Sequence, residues 1–132
     1  MPEQSNVQLV KDAYAAFVRG DIDAVLSALA LTVEWHIPGP VEASYCGLRR
    51  GLDEVMKFFV QVGDAVEFSA FAPREYFARG DRVIALGHYA GRVRGTGKSF
   101  AAEWAMTWTI KNDRVVAFRE YTDTQRLGVA FR

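Results

Sequence analysis

Ser99-Phe100-Ala101-Ala102-Glu103-Trp104-Ala105-Met106-Thr107-Trp108-Thr109-Ile110 alternates with a period of two. Phe100, Trp104, Met106, Trp108 and Ile110 fall on one face, and Ala101, Glu103, Ala105, Thr107 and Thr109 on the other. Successive side chains of a strand point to opposite faces, so this pattern predicts a long antiparallel strand with one apolar side. Asn112-Asp113 supplies a turn. Arg114 to Thr122 then returns as a second strand with Val116, Phe118, Glu120 and Thr122 on one face. Setting Ile110 opposite Val116 sets Trp108 opposite Phe118 and Met106 opposite Glu120. A carboxylate then sits on an aromatic wall, where a charge is costly unless it is paired or protonated. Glu120 is therefore the leading candidate for chemistry.

Outward from this hairpin, Arg82 to Val93 and Val66 to Ala78 read as two further strands. Gly80-Asp81 joins them tightly, and Gly95-Thr96-Gly97 joins Arg82–Val93 to the strand that begins at Ser99. The first half of the chain is helical. Val7 to Val18 carries Val7, Val10, Tyr14, Phe17 and Val18 at helical spacing, with Ser5 or Asn6 as cap and Gly20 as stop. Asp21 caps a second helix through Ile22, Val25, Leu26 and Leu29. Thr32 to Ile37 is a short strand ended by Pro38-Gly39-Pro40, and Val41 to Arg50 is a loop. Gly51 to Val62 is a third helix with Leu52, Val55, Met56, Phe59 and Val62 inward. Helices first and strands after argue an α+β fold, helices packed on one face of a bent antiparallel sheet.

The 132 residues fit a single domain spanning 1–132, and the apolar half of the composition suffices for a core. Sixteen basic residues balance sixteen acidic ones, so no charge excess favours nucleic acid or an anionic membrane. No apolar run approaches the roughly 20 residues of a membrane span. Cys46 is the one cysteine, which excludes an internal disulfide and fits a reducing cytoplasm. The segment Met1 to Asn6 is polar and lacks an apolar signal core, which also leads us to expect a cytoplasmic chain. His36 and His88 have no local ligand spacing, so we expect no metal, and no glycine-rich dinucleotide fingerprint calls for a cofactor.

Several short motifs, in order, resemble one family. They are Phe17-Val18-Arg19-Gly20-Asp21, Val33-Glu34-Trp35-His36 running into Pro38-Gly39, and Tyr45-Cys46-Gly47 with Arg50-Gly51 before a helix ending Phe58-Phe59. Gly80-Asp81-Arg82-Val83 and Arg119-Glu120-Tyr121-Thr122-Asp123 complete the set. The chain resembles the SnoaL-like and ketosteroid-isomerase-like branch of the nuclear-transport-factor-2-like superfamily. The resemblance implies a cone-shaped barrel: a strongly curved, mainly antiparallel sheet wrapped around three N-terminal helices, with an apolar pocket at the open end. It also implies a homodimer built through the outer sheet face. The family hosts isomerases, cyclases, hydrolases, dehydratases and non-catalytic binders, so fold alone does not give function.

Carried over residue by residue, the resemblance removes one chemistry and leaves another half-complete. The general-base position of the steroid isomerases falls on Trp35, which cannot abstract a proton. Their oxyanion-donor acid falls near Met106, a thioether. Their tyrosine falls one residue from Tyr14, with Ala13 in the strict position. Steroid isomerisation is therefore not expected. In SnoaL-type cyclases a His at the Met106 position pairs with an acid at the Glu120 position, so half of that pair is present. Candidate catalytic groups are then Glu120, Tyr14, Asp123 and His88. Glu120 either transfers protons or accepts a structural hydrogen bond, from Tyr14 or a backbone group. Asp123 either acts in the site or caps the C-terminal tail. His88 shares strand parity with Ile84 and Leu86, and Tyr89 with Val83, Ala85 and Gly87. The family pattern turns Tyr89 inward, while the long Gly95–Gly97 turn leaves room for a register shift that would turn His88 inward. Trp35, Phe59, Tyr89, Trp104, Met106, Trp108 and Phe118 are the candidate lining of a pocket for a small apolar organic ligand. Three functions fit: an acid–base enzyme acting through Glu120, a ligand-binding protein without chemistry, and a dimeric interaction module.

Overall fold

The strand that carries the Trp-x-Met-x-Trp pattern lies inside a sheet, flanked on both sides. The computed structural model describes residues 2–132. Helices α1 (Pro2–Val18) and α2 (Ile22–Ser27) come first, followed by strands β1 (Leu29–Ile37) and β2 (Gly47–Arg50). Helix α3 (Leu52–Ala65) leads into β3 (Val66–Arg79), β4 (Arg82–Val93), β5 (Ser99–Lys111) and β6 (Arg114–Thr122), and α4 (Thr124–Phe131) closes the chain. Among the described residues the strands form one six-stranded sheet in the order β2-β1-β6-β5-β4-β3, with its ends unpaired. Neighbours are antiparallel except β1 and β6, which run parallel. The result is the α+β cone: a curved, unclosed sheet around its N-terminal helices.

Alternation sets the two sides of the sheet. Phe100, Ala102, Trp104, Met106, Trp108 and Ile110 of β5 are all buried against the helices, while Ala101 and Glu103 are exposed. Trp108 pairs with Phe118 and Met106 with Glu120 across β5 and β6, as the sequence requires. Nearer the turn the register differs. Ile110 faces Val115 rather than Val116, because a bulge between Thr109 and Ile110 inserts one residue. Further bulges break β3 between Phe68 and Ala70 and between Pro73 and Glu75. Each bends its strand and increases the local twist, which is how a flat ladder becomes a cone. The close fit of the concave side explains one glycine: a Cβ at Gly87 would overlap the ring of Trp104.

Other boundaries depart from the sequence reading. Helix α1 starts at Pro2, where a missing backbone N–H costs nothing, so Ser5 and Asn6 lie inside it instead of capping it. Asp21 caps α2 as expected, its carboxylate accepting from the Ala24 N–H at 3.1 Å, but the helix stops at Ser27 and Leu29 already belongs to β1. The segment expected as a loop to Arg50 ends in β2, held by its antiparallel pairing with Glu34–Ile37. In α3, Met56 faces outward and Phe58 is buried in its place. Among the described residues no helix is long and apolar enough to cross a membrane.

Candidate functional site

Every layer of the cone contributes an aromatic ring to one enclosed space. Trp35 of β1 stacks on Phe118 of β6, with ring centroids 3.9 Å apart and planes 17° from parallel. Trp108 of β5 stands edge-on to Trp35 at 5.9 Å and to Phe118 at 4.7 Å. Phe59 of α3 packs on Trp35 at 5.6 Å, and Tyr14 of α1 stands edge-on to Trp108 at 5.3 Å. Such pairs each add roughly 0.5–1.5 kcal/mol beyond the area they bury, so the wall is held rigidly. The space they enclose is about 70 Å³. That is under half of the roughly 150 Å³ apolar cavity that accepts benzene. A ring-sized ligand therefore enters only if wall side chains move.

Polar atoms in this wall are few, and one of them, the Trp35 indole N–H, is buried without a partner. The Trp108 indole N–H donates to the Tyr14 hydroxyl at 2.9 Å, and Tyr14 in turn donates to the Met106 sulfur at 3.2 Å. A thioether is a weak acceptor, so the Tyr14 proton is loosely committed. Burial holds the Tyr14 phenol well above its ordinary pKa, against the opposing bond from Trp108. Tyr45, in the segment before β2, is likewise raised by burial. Glu120 is buried, and its Oε1 accepts a hydrogen bond from the Tyr89 hydroxyl at 3.2 Å. Burial pushes the Glu120 carboxyl up to about 7, the Tyr89 bond opposing it. No cationic side chain lines the cavity among the described residues. Arg119, the neighbour of Glu120 in sequence, lies on the other face of β6 and bonds His36 Nδ1 at 2.8 Å.

Trp35, Phe59, Tyr89, Met106, Trp108, Phe118, Tyr14 and Glu120 all line the cavity. The remaining sequence candidates do not. Trp104 is buried but sits behind the wall, against Tyr14 and Phe71 at 5.6 and 5.5 Å and over Gly87. His88 is on the outer face, paired across the sheet with Glu103 and Ala72, so the β4–β5 turn does not shift the register and Tyr89 points inward. Asp123 is exposed and caps α4, its carboxylate accepting from the Arg126 N–H at 3.0 Å. The hydrogen-bond partner of Glu120 is Tyr89, not Tyr14. Other lining residues escaped the sequence reading, among them Phe58, Phe68, Phe71, Tyr45 and Leu127. Tyr45 lies in a segment without periodicity, and Leu127 belongs to α4. Helix α4 is fastened by the Thr96 hydroxyl, which donates to the Ala130 carbonyl at 2.6 Å, and by Arg132 Nε, which donates to Glu42 at 2.8 Å.

A family model described as a SnoaL-like domain matches residues 10–118, which contain the whole wall except Glu120 and Leu127. The chain belongs to the SnoaL-like domain family. A crystal structure of an NTF2-like protein from Burkholderia xenovorans LB400 is similar over 98% of both chains, with 36% identity and a TM-score of 0.89. TerC, crystallised with polyporic acid, is similar over 96% of this chain and 98% of its own, with 24% identity and a TM-score of 0.84. The Mycobacterium tuberculosis protein Rv0034 is 24% identical over 121 residues, 92% of this chain and 91% of that protein. These likenesses place the SnoaL-like domain on the NTF2-like fold without fixing its chemistry.

A carboxyl raised in the folded state makes its ionised form a cost to folding. Between pH 4.5, the ordinary carboxyl value, and about 7, the unfolded chain has lost this proton and the folded chain still holds it. Stability therefore falls as pH rises through that window, by roughly 3 kcal/mol in total. Urea denaturation of wild type and Glu120→Gln from pH 4 to pH 8 checks this. The fall attributable to Glu120 is expected in the wild type and absent in the variant.

Proposed function

We propose that this SnoaL-like protein binds a small, largely apolar organic molecule in the aromatic cavity and exchanges a proton with it through Glu120. The observation that carries the reading is the carboxyl of Glu120, sealed among aromatic rings and raised to about 7. A general acid or base works best with a pKa near the working pH, and a positioned one contributes roughly 10² to 10⁴ in rate. Tyr14, whose proton rests on a sulfur, is the supporting donor for an oxygen of the ligand. The co-crystallisation of TerC, which shares this fold, with polyporic acid supports a small-molecule ligand.

A second reading, binding without chemistry, is favoured by Met106. It stands opposite Glu120, where a catalytic pair would need a second proton-transfer group. The two readings separate by experiment. Small molecules retained by the purified protein are extracted and incubated with catalytic amounts of fresh protein. Conversion by the wild type, reduced at least about 10²-fold in Glu120→Gln, supports proton transfer. Return of the molecule unchanged supports the binder.

The assembly we propose is a homodimer joined through the outer sheet face, in a reducing cytoplasm that suits the free thiol of Cys46. On that face Phe77, Ile84 and Tyr121 stand exposed beside Ala101, Thr107 and Thr109. An apolar patch of this kind favours contact over solvent. Light scattering at micromolar concentration is expected to give twice the 14.8 kDa chain mass, and a monomer mass would remove the dimer.

A further inference from the structure

The charge inventory of the cavity does not balance. Glu120 lines it from β6, and the groups that face it are the phenols Tyr14 of α1, Tyr89 of β4 and Tyr45 before β2. Burial raises all of them, so they stay neutral through the physiological range. From the other elements come uncharged side chains: Trp35 of β1, whose indole N–H has no partner, Phe59 of α3, Phe68 of β3, Trp108 of β5 and Leu127 of α4. Arg119 and Arg49 do not line the cavity. Arg119 bonds His36 on the outer face, and Arg49 bonds the carbonyls of Glu54 and Ser44. Among the described residues nothing in the cavity supplies the counter-charge of an ionised Glu120.

Two features nevertheless suit the ionised form. The Tyr89 hydroxyl donates to Oε1, a bond that favours carboxylate over acid. The rings around it stand in crossed orientations, Trp108 at 88° to Trp35 and at 83° to Tyr14. A cavity lined by aromatic rings suits a cation, because the ring quadrupole attracts positive charge, most strongly when desolvated.

Resting on the reading of this cavity as a small-molecule site, we propose that its ligand carries a basic nitrogen: the cavity binds a small organic ammonium ion, with Glu120 as counter-ion and the aromatic wall around it. The ligand brings the charge that the protein lacks. A neutral ligand does nothing for an ionised Glu120 and favours its protonated form, and an anion meets the like charge of ionised Glu120 with no cation to hold it. This sets the chain apart from TerC, whose co-crystallised ligand is named as an acid. Protons balance in either form of the site. An ammonium ion entering the ionised site binds directly. One entering the protonated site displaces one proton from Glu120 to solvent. A free amine entering the protonated site takes that proton onto its nitrogen. No covalent bond forms or breaks in the ligand's carbon frame.

Three probes of four heavy atoms and similar shape test the charge: isopropylamine, 2-propanol and acetate. Their size suits the 70 Å³ space better than a ring does. The indole N–H signals of Trp35, Trp104 and Trp108 report binding by nitrogen-15 NMR. At pH 8 isopropylamine is an ammonium ion, as its basicity is close to that of the lysine side chain. It is expected to bind at least about tenfold tighter than 2-propanol, with acetate giving no shift. Its affinity is expected to rise about tenfold from pH 6 to pH 8, because the ionised fraction of Glu120 rises that much across its titration. Glu120→Gln, its fold checked by dispersed indole signals, is expected to bring amine and alcohol within about twofold. Alcohol binding as tightly as amine, or an amine preference that survives Glu120→Gln or ignores pH, overturns the ammonium proposal while leaving the small-molecule site standing. Absence of binding by all three probes overturns both.

Discussion

The Tyr89 hydroxyl reaches one oxygen of Glu120 at 3.2 Å, and no cation reaches the other among the described residues. A carboxyl removed from water with a single neutral donor is only partly compensated, so it keeps its proton to about 7. The rest of the molecule is arranged around that constraint. The stacked pair Trp35–Phe118 and the edge-on Trp108 keep water away from it. The sheet register holds Met106 directly across from it. A cation opposite Glu120 would have stabilised the carboxylate and removed its reason to titrate near neutrality. A thioether there does neither.

The cone itself follows from the same packing. Helices α1 and α3 lay Tyr14 and Phe59 into the concave side, so the core and the site are one cluster. Bulges at Phe68/Ala70, Pro73/Glu75 and Thr109/Ile110 bend the sheet enough for rings on distant strands to meet. The cost is a cavity that is small at rest. Helix α4, fastened by Thr96 and Arg132, brings Leu127 into its wall. A cavity built this way has room for compact molecules only and keeps Glu120 largely from water.

Much of this was legible in the chain, for a physical reason. Strands β4 and β5 alternate strictly between turn residues, and β6 does so from Ala117 onward, so parity alone placed Trp108, Phe118, Met106 and Glu120 on one face. Alternation carries no information about distance along the cone axis. Trp104 shares parity with Trp108 yet ends behind the wall, over Gly87. Tyr89 became identifiable as the partner of Glu120 only once the β4–β5 register was known. Strand β2 was missed because its four residues have no periodicity of their own and are held as a strand by β1. Helix α4 is eight residues long and presents two turns of pattern, too few to distinguish it from a tail. The shift from Val116 to Val115 comes from a bulge that no residue type announces.

The central claim is that burial, uncompensated by any cation, holds Glu120 protonated to near neutral pH. Carbon-13 NMR of the side-chain carboxyl measures this directly, by following its chemical shift from pH 3 to pH 9 and assigning it by loss of the signal in Glu120→Gln. A midpoint of about 7 is expected. A midpoint at or below the ordinary value of 4.5 would contradict it.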